Sequence, residues 1–437
     1  MRELAVDSRQ DTCRVITACR SCGGRSLAEI LSLGELHVSN FVDDPAAFAS
    51  LPYPLDLVLC DVSSGGCGLL QLRHTVPPKL MYRNYWYRSG MNRTMSQHLA
   101  GISSAAWALR PLKAGDIVLD IGANDGTLLR SYQTSGLVRV GFEPAENLVA
   151  HAAAGTDRIF NDFFSHAPFA AAFPGRRAKV ITAIAMFYDL DDPNAFVRDV
   201  ARTLDADGVA VIEMHYLPAM LAQNSFDAIC HEHLEYYALT PLERLLERHG
   251  LEVFDVEENV INGGSFRAYI RHAGSATGAG LAGSDERLRA MRAQESKLGL
   301  GTPVPYEAFA ARVRAVRDRL SAFVRAETAA GKRVYVYGAS TKGNTILQFC
   351  GLDRTLIAAA AERNPDKWGK HTVATNIPIV SETEARAARP DYFLVLPWHF
   401  LPEFREREAA FLAGGGKFLV PLPEPRLIGA DGEQYLA

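Results

Sequence analysis

The chain has 437 residues, 48% of them hydrophobic, and a formal net charge of −4. That length suits about three domains of about 150 residues each, and the absence of a basic run argues against a nucleic-acid partner. No stretch of about 18 uncharged apolar residues is present to span a membrane. Met1–Asp7 has no continuous apolar segment, so no secretion signal is read there, and a soluble, cytoplasmic protein is expected.

Residues 1–78 are short-stranded, turn-rich and cysteine-rich. Five of the seven cysteines lie in the first 67 positions. Without a secretion signal, such clustering points to metal rather than to disulfides. Cys19-Arg20-Ser21-Cys22 is a tight knuckle, and Cys60 and Cys67 supply a second pair with wider spacing. Ser63-Ser64-Gly65-Gly66 reads as a loop insertion that returns Cys67 to the metal. Four thiolates suit a closed, structural Zn²⁺ site. Cys13 lies nearby as a competing ligand. Cys230 and Cys350 read as ordinary small apolar residues.

Residues 79–272 form the next segment, opening with a connector and a helix from Ser96 to Leu109. Apolar strands then alternate with helices: 117–121, 138–142, 179–185 and 208–214. This is a doubly wound α/β pattern. Its first strand ends in Asp120-Ile121-Gly122-Ala123-Asn124-Asp125-Gly126. That turn lacks the G-x-G-x-x-G spacing that seats a pyrophosphate on a helix N-terminus. A nucleoside cofactor without a phosphate fits better, and S-adenosylmethionine (SAM) is the candidate. Glu143 ends the second strand, 23 residues after Asp120, where a carboxylate can bridge two ribose hydroxyls. Asp120, Gly122, Asn124, Gly126 and Glu143 are therefore the expected cofactor residues.

Soon after the strand at 208–214 comes Ser225-Phe226-Asp227-Ala228-Ile229-Cys230-His231-Glu232-His233-Leu234-Glu235-Tyr236-Tyr237. A His beside a carboxylate is a ready general base, and Tyr236 or Tyr237 could hold a carbonyl or enolate oxygen. A His-x-His metal site is the weaker reading, because the spacing is not H-E-x-x-H and no second ligand set is evident. Residues 273–284 read as a linker. Residues 285–330 read as charged helix with a solvated face.

A second α/β cycle fills residues 285–437: Arg333 to Asn344 reads as strand, glycine turn (Gly338-Ala339-Ser340-Thr341-Lys342-Gly343) and helix, and strands follow at 356–360, 378–380, 392–396 and 417–420. Ser340 and Lys342 could contact an anionic phosphate. Trp398 and His399, after a strand end, could line the same cleft. The Gly-x-x-x-x-Gly spacing is not the dinucleotide fingerprint, so an NAD enzyme is disfavoured.

In this order, Cys19-x-x-Cys22, Leu31-Ser32-Leu33-Gly34, Asp120 to Gly126, Gly141-Phe142-Glu143-Pro144, Ser225-Phe226-Asp227, Glu232-His233, Gly263-Gly264-Ser265 and Tyr337-Gly338-Ala339 resemble the bacterial sugar C-methyltransferases over roughly residues 15–425. The resemblance implies a small zinc domain, a class I SAM-methyltransferase domain and a C-terminal Rossmann-like domain. It implies carbon methylation beside the ketone of a nucleotide-linked 4-keto-deoxysugar, through an enolate. By the same resemblance His233 is the base and Glu232 its orienting partner. Tyr87 and Ser89, in Tyr85-Trp86-Tyr87-Arg88-Ser89-Gly90, reach the active site and cofactor, and Asp162 and Phe163 contact the adenine. Cys230 stands where relatives commonly have a Tyr, and Asn262 where some have His. His231 and Asn262 join Ser340, Lys342, Trp398 and His399 as expected substrate residues. The partner is a small molecule, with the protein a monomer or dimer. The competing enzyme reading is methyl transfer in the same fold to another carbon or oxygen acceptor. The non-enzyme reading is a zinc-containing scaffold with a vestigial cofactor fold.

Overall fold

The computed structural model describes residues 13–44, 51–83, 85–279 and 281–436; the Met1–Asp7 stretch lies outside them. The N-terminal sheet is built from β1 (Leu27–His37), β2 (Pro52–Cys60) and β3 (Leu70–Leu72), paired antiparallel. Leu31, Leu33, Leu55, Leu57 and Leu59 are buried in it. The loop after β2 turns back through Gly65, at φ +81°, and Gly66. A Cβ on Gly66 would lie 2.6 Å from the Asp61 carbonyl oxygen, so only glycine lets the chain double back and return Cys67 beside Cys60.

The middle sheet holds β4 (Ile117–Ile121), β5 (Val138–Phe142), β6 (Arg158–Phe160), β7 (Ala178–Ile184) and β8 (Leu204–His215). All five run parallel. Every residue of β4 is buried, as expected of a parallel strand covered on both faces. Between β8 and the next strands of this sheet, β9 (Glu235–Tyr236) leaves it and pairs with β3. The segment bearing Glu232 and His233 is thereby stitched onto the N-terminal sheet, whose order is β9-β3-β2-β1. The antiparallel hairpin β10 (Leu251–Asn259) and β11 (Ser265–His272) completes the middle sheet, in the order β10-β11-β8-β7-β4-β5-β6. The strand order reverses between β4 and β7, the position where open α/β sheets bind ligands.

The C-terminal sheet repeats this plan with β12 (Val334–Tyr337), β13 (Ile357–Glu362), β14 (Ile379–Ser381), β15 (Tyr392–Val395), β16 (Lys417–Val420), β17 (Arg426–Gly429) and β18 (Gly432–Tyr435). Its order is β14-β13-β12-β15-β16-β17-β18. Residues 371–372 also pair with 41–42, tying this region to the N-terminal one. Among the described residues no helix is long and apolar enough to cross a membrane.

The charged residues of 285–330 largely face solvent, as expected, but the region also buries an apolar stripe. It forms the helices Ser284–Leu298 and Val304–Ala329. The second buries Tyr306, Phe309, Val313, Val316, Leu320 and Val324 along one stripe. In the first, Glu295 is buried and accepts from the backbone N–H groups of Leu239 (2.6 Å) and Thr240 (2.9 Å) and from the Tyr216 hydroxyl (3.1 Å). Those N–H groups are orphan donors at the start of the helix Leu239–Glu247. A charge-rich run thus hides one core helix and one buried carboxylate clip.

Candidate active site

The four N-terminal thiols converge. Cys19 and Cys67 Sγ are 3.6 Å apart, Cys22 and Cys60 Sγ 3.5 Å apart, and all four lie within 4.8 Å of one another. Tetrahedral Zn–S bonds of about 2.3 Å require sulfurs about 3.8 Å apart, so the donor set fits a closed zinc site. Gln71 Nε2 (3.1 Å) and the Gly24 and Cys67 N–H groups (3.4 Å each) donate to the sulfurs, supporting their charge. Cys13 is outside this group.

The cofactor turn lies at the C-terminal end of β4. Gly122 and Ala123 both donate to the Phe142 carbonyl at 2.9 Å, and Asn124 sits at φ +51°. A Cβ on Gly126, itself at φ +78°, would lie 2.9 Å from the Ala152 carbonyl oxygen. Asp120 accepts from Thr182 Oγ1 (2.5 Å), and Glu143 accepts from the N–H groups of Asn124 (2.7 Å) and Ala145 (2.8 Å). Burial pushes both carboxyls up to about 7. Among the described residues neither has a cation within salt-bridge distance. A cationic nucleoside with a ribose diol suits this pair of carboxyls, and a pyrophosphate does not.

The segment at 85–91 lies across the turn. Ser89 N–H donates to Asn124 Oδ1 (3.0 Å), Gly90 N–H to Asp125 Oδ2 (2.8 Å), and Asn124 Nδ2 to the Tyr87 carbonyl (3.0 Å). Tyr87 thus meets the turn through its backbone, and its side chain is 45% exposed. Asp162 and Phe163 are exposed at the rim, beside Arg83 and Tyr82.

The second cluster gathers where the middle and C-terminal sheets face each other. His233 Nδ1 is 2.8 Å from the Ala228 carbonyl oxygen. Its ring lies 4.5 Å from that of Tyr188 and 5.9 Å from that of His215. Lys342 Nζ reaches His215 Nε2 at 2.5 Å, so it points into the protein rather than at a surface anion. Trp398 Nε1 donates to Asp227 Oδ2 (3.0 Å), with the His399 ring beside it. Gly263 lets Trp398 approach, because a Cβ there would lie 3.0 Å from the indole. A small cavity is lined by Tyr188, His215, Asn262, Ser265, Met95 and Glu213 among others.

His233, His215, His399 and Lys342 are half-buried, retaining surface on the cleft while protein surrounds them. Burial first, then the Lys342 charge, lowers His233 and His399 to about 3 and depresses His215 as well, so all three imidazoles are neutral at neutral pH.

Four expected residues are placed differently. Glu232 does not orient His233; that partner is the Ala228 carbonyl, and Glu232 Oε2 is buried without a partner. The chain turns here, with the His233 N–H bonding the Cys230 carbonyl at 3.0 Å, and the Glu232 carboxyl lies by Cys230 and Asp189 while its carbonyl accepts from the Tyr82 hydroxyl. His231 turns to the N-terminal sheet, bonding the Tyr53 carbonyl at 3.0 Å. Tyr237 likewise bonds Glu235 (2.8 Å) and packs on Phe187, whereas Tyr236 approaches the same Ala228 carbonyl at 3.4 Å. Ser340 caps its helix through the Gly343 N–H, leaving its hydroxyl engaged. Sequence reasoning missed His215, Tyr188, Asp189, Tyr82 and Tyr85. Only His215 carried a signal, as a titratable residue closing an apolar strand. Tyr82 and Tyr85, rather than Tyr87, adjoin Asp189, Glu232 and Cys230.

Comparison with known proteins agrees with this layout. Family models match in succession: a zinc-binding domain over residues 19–82, a methyltransferase domain over 87–256 and a C-methyltransferase C-terminal domain over 260–423. The chain is 33% identical over 429 residues to C-methyltransferase NovU of Streptomyces niveus, covering 97% of this chain and 99% of that protein. Solved structures overlap the chain in part. Magnesium protoporphyrin IX methyltransferase of Synechocystis PCC 6803, with bound S-adenosylhomocysteine, is 12% identical, covering 42% of this chain and 88% of that one at TM-score 0.32. A SAM-dependent methyltransferase of Clostridium acetobutylicum ATCC 824 is 10% identical, covering 41% and 92% at TM-score 0.31. The chain belongs to the three-part C-methyltransferase family. It is a SAM-dependent methyltransferase with a four-cysteine zinc site.

Proposed function

We propose that this C-methyltransferase acts on a carbon next to a ketone of a nucleotide-linked deoxysugar. His233 removes the carbon-bound proton, and the resulting enolate is the nucleophile. The observation that carries this reading is the tautomer of His233. A carbonyl only accepts, so the bond to Ala228 keeps the proton on Nδ1 and leaves the Nε2 lone pair free. A neutral imidazole so fixed is ready to take a proton. The C–H bonding pair becomes the enolate double bond as the proton moves to Nε2. Bound SAM supplies an electrophilic methyl group on a positively charged sulfur. Asp120, Glu143 and the turn from Gly122 to Gly126 would hold it, with the segment at 85–91 closing over the turn and excluding water that would reprotonate the enolate. The cleft facing the C-terminal sheet, with Asn262, Trp398 and His399, would take the sugar nucleotide.

The test is mass spectrometry of products from SAM and a panel of nucleotide-linked 4-keto-6-deoxy sugars, alongside His233→Ala. A gain of one methylene, lost in the variant while SAM binding persists, supports the reading. No gain on any sugar nucleotide, with SAM bound, redirects the search to other carbon or oxygen acceptors.

A further inference from the structure

The proposed chemistry needs a second group. An enolate carries its charge on oxygen, and that oxygen calls for a hydrogen-bond donor. Lys342 and His215 supply the missing element. Among the described residues no carboxylate lies within salt-bridge distance of Lys342, and its one hydrogen bond goes to His215 Nε2. Burial lowers Lys342, and nearby Asp227, Cys230 and Asp189 act against that; held as an ammonium it only donates, so Nε2 accepts and the ring proton sits on Nδ1. Nδ1 makes no hydrogen bond to the described residues and is not among the buried orphan atoms, while His215 lines the cavity with Tyr188 and Asn262. Across a ring separation of 5.9 Å, His233 holds the opposite arrangement of free groups. One histidine presents a lone pair on Nε2, and the other an N–H on Nδ1.

We propose that His215 is the electrophilic partner of His233: its Nδ1–H donates to the ketone oxygen as that oxygen gains enolate charge, and Lys342 is the positioning residue that sets the His215 tautomer. This rests on the enolate reading. A neutral imidazole is suited to the role because its N–H can strengthen its bond to a developing oxyanion without surrendering the proton. The device joins two sheets. His215 closes β8 of the middle sheet, and Lys342 lies in the first turn of the helix Thr341–Phe349 that follows β12 of the C-terminal sheet. Seating the C-terminal sheet therefore selects the tautomer needed in the middle one.

Two measurements on the full-length protein test this. The first is ¹⁵N NMR of the histidines with S-adenosylhomocysteine bound. His215 should show a protonated Nδ1 and an unprotonated Nε2, and Lys342→Met should mix the two tautomers. A His215 protonated at Nε2 in the native protein overturns the proposal whatever the substrate proves to be. The second is exchange of substrate α-hydrogens in D₂O, read beside methyl transfer. His215→Leu should slow both by about 10²–10³-fold at unchanged SAM affinity. His215→Asn, whose amide N–H overlays Nδ1, should recover much of the loss. Lys342→Met should lower kcat with little change in KM. Native-like exchange and turnover in a folded His215→Leu protein overturn the proposal. Absence of exchange by the native protein on every sugar nucleotide instead indicts the substrate class, and the tautomer measurement still decides the role of the His215–Lys342 pair.

Discussion

The two seven-stranded sheets share a plan and diverge in charge. Each runs five parallel strands, reverses order beside its first strand, and ends in antiparallel strands at one edge. Each also has a glutamate at the tip of its second strand, Glu143 after β5 and Glu362 closing β13. Both accept backbone N–H groups just downstream, Ala145 in one case and Asn364 in the other. The difference lies in what else surrounds them. Among the described residues Glu143 has no cation within salt-bridge distance, and it lies beside Asp120. Glu362 has Lys367 at 3.4 Å, and Lys367 also bonds the Ala339 carbonyl of the adjoining glycine turn at 2.8 Å. The first switch point keeps two carboxyls unpaired by cations among the described residues, which suits a cationic cofactor. The second is neutralised, and its turn projects Lys342 toward the other sheet. Topology supplies a crevice, and the charges at its rim decide what it takes.

Exchanging the two glutamates for their amides breaks the comparison most directly. Glu143→Gln should weaken SAM binding by about 10- to 100-fold in calorimetry, the range for losing hydrogen bonds to a charged group. Glu362→Gln should leave SAM affinity within about threefold, because its pairing is structural. Equal losses would mean that the two crevices are not specialised as described.

Acidification sharpens the same contrast. Asp120 and Glu143 are raised to about 7 by burial, so protons compete with the cationic ligand below that pH. SAM affinity should fall severalfold from pH 8 to pH 6, by the linkage of a ligand to an ionised carboxyl. The stability effect has the opposite sign. The unfolded carboxyls ionise near pH 4 while the folded ones stay neutral, so their contribution to the stability of the SAM-free protein falls as pH rises from about 4 to about 7. Thermal melts of native protein and Asp120→Asn, with and without SAM, check both directions: the variant should flatten the slope of the SAM-free protein.

Stability effects are smaller. Glu295→Ala leaves the buried N–H donors at the start of Leu239–Glu247 unpaired and should cost about 1–3 kcal/mol in denaturant melts. Tyr87→Phe is the smallest. The segment over the cofactor turn uses the Tyr87 carbonyl, so kcat/KM should stay within about threefold in steady-state assays; a loss beyond tenfold would assign the phenol a part in the chemistry.

Much of the middle sheet was legible because a parallel strand buried on both faces must be continuously apolar, as Ile117–Ile121 is. The cysteine quartet was legible because thiolate spacing carries its own chemistry. The charged face of the helix Val304–Ala329 was legible, but its buried stripe was not, because the arginines and glutamates recur at the same helical interval as the apolar residues between them. In the site, His233 was legible as a candidate base, but the group its ring bonds was not. Adjacent Glu232 looked available in sequence, whereas the turn from Cys230 to His233 carries it away and offers a backbone carbonyl, which no sequence pattern announces. The His215–Lys342 contact joins positions 127 residues apart on different sheets, and neither residue hints at the other.

The pairing of β9 with β3 makes the segment holding His233 an edge of the same small sheet that the zinc ligands anchor. If metal retention and occupancy of the proposed acceptor pocket are coupled through that sheet, the coupling is reciprocal: loss of the ion should weaken acceptor binding, and a bound acceptor should tighten zinc against a chelator by the same factor. The zinc then reports on the state of a reaction it never touches.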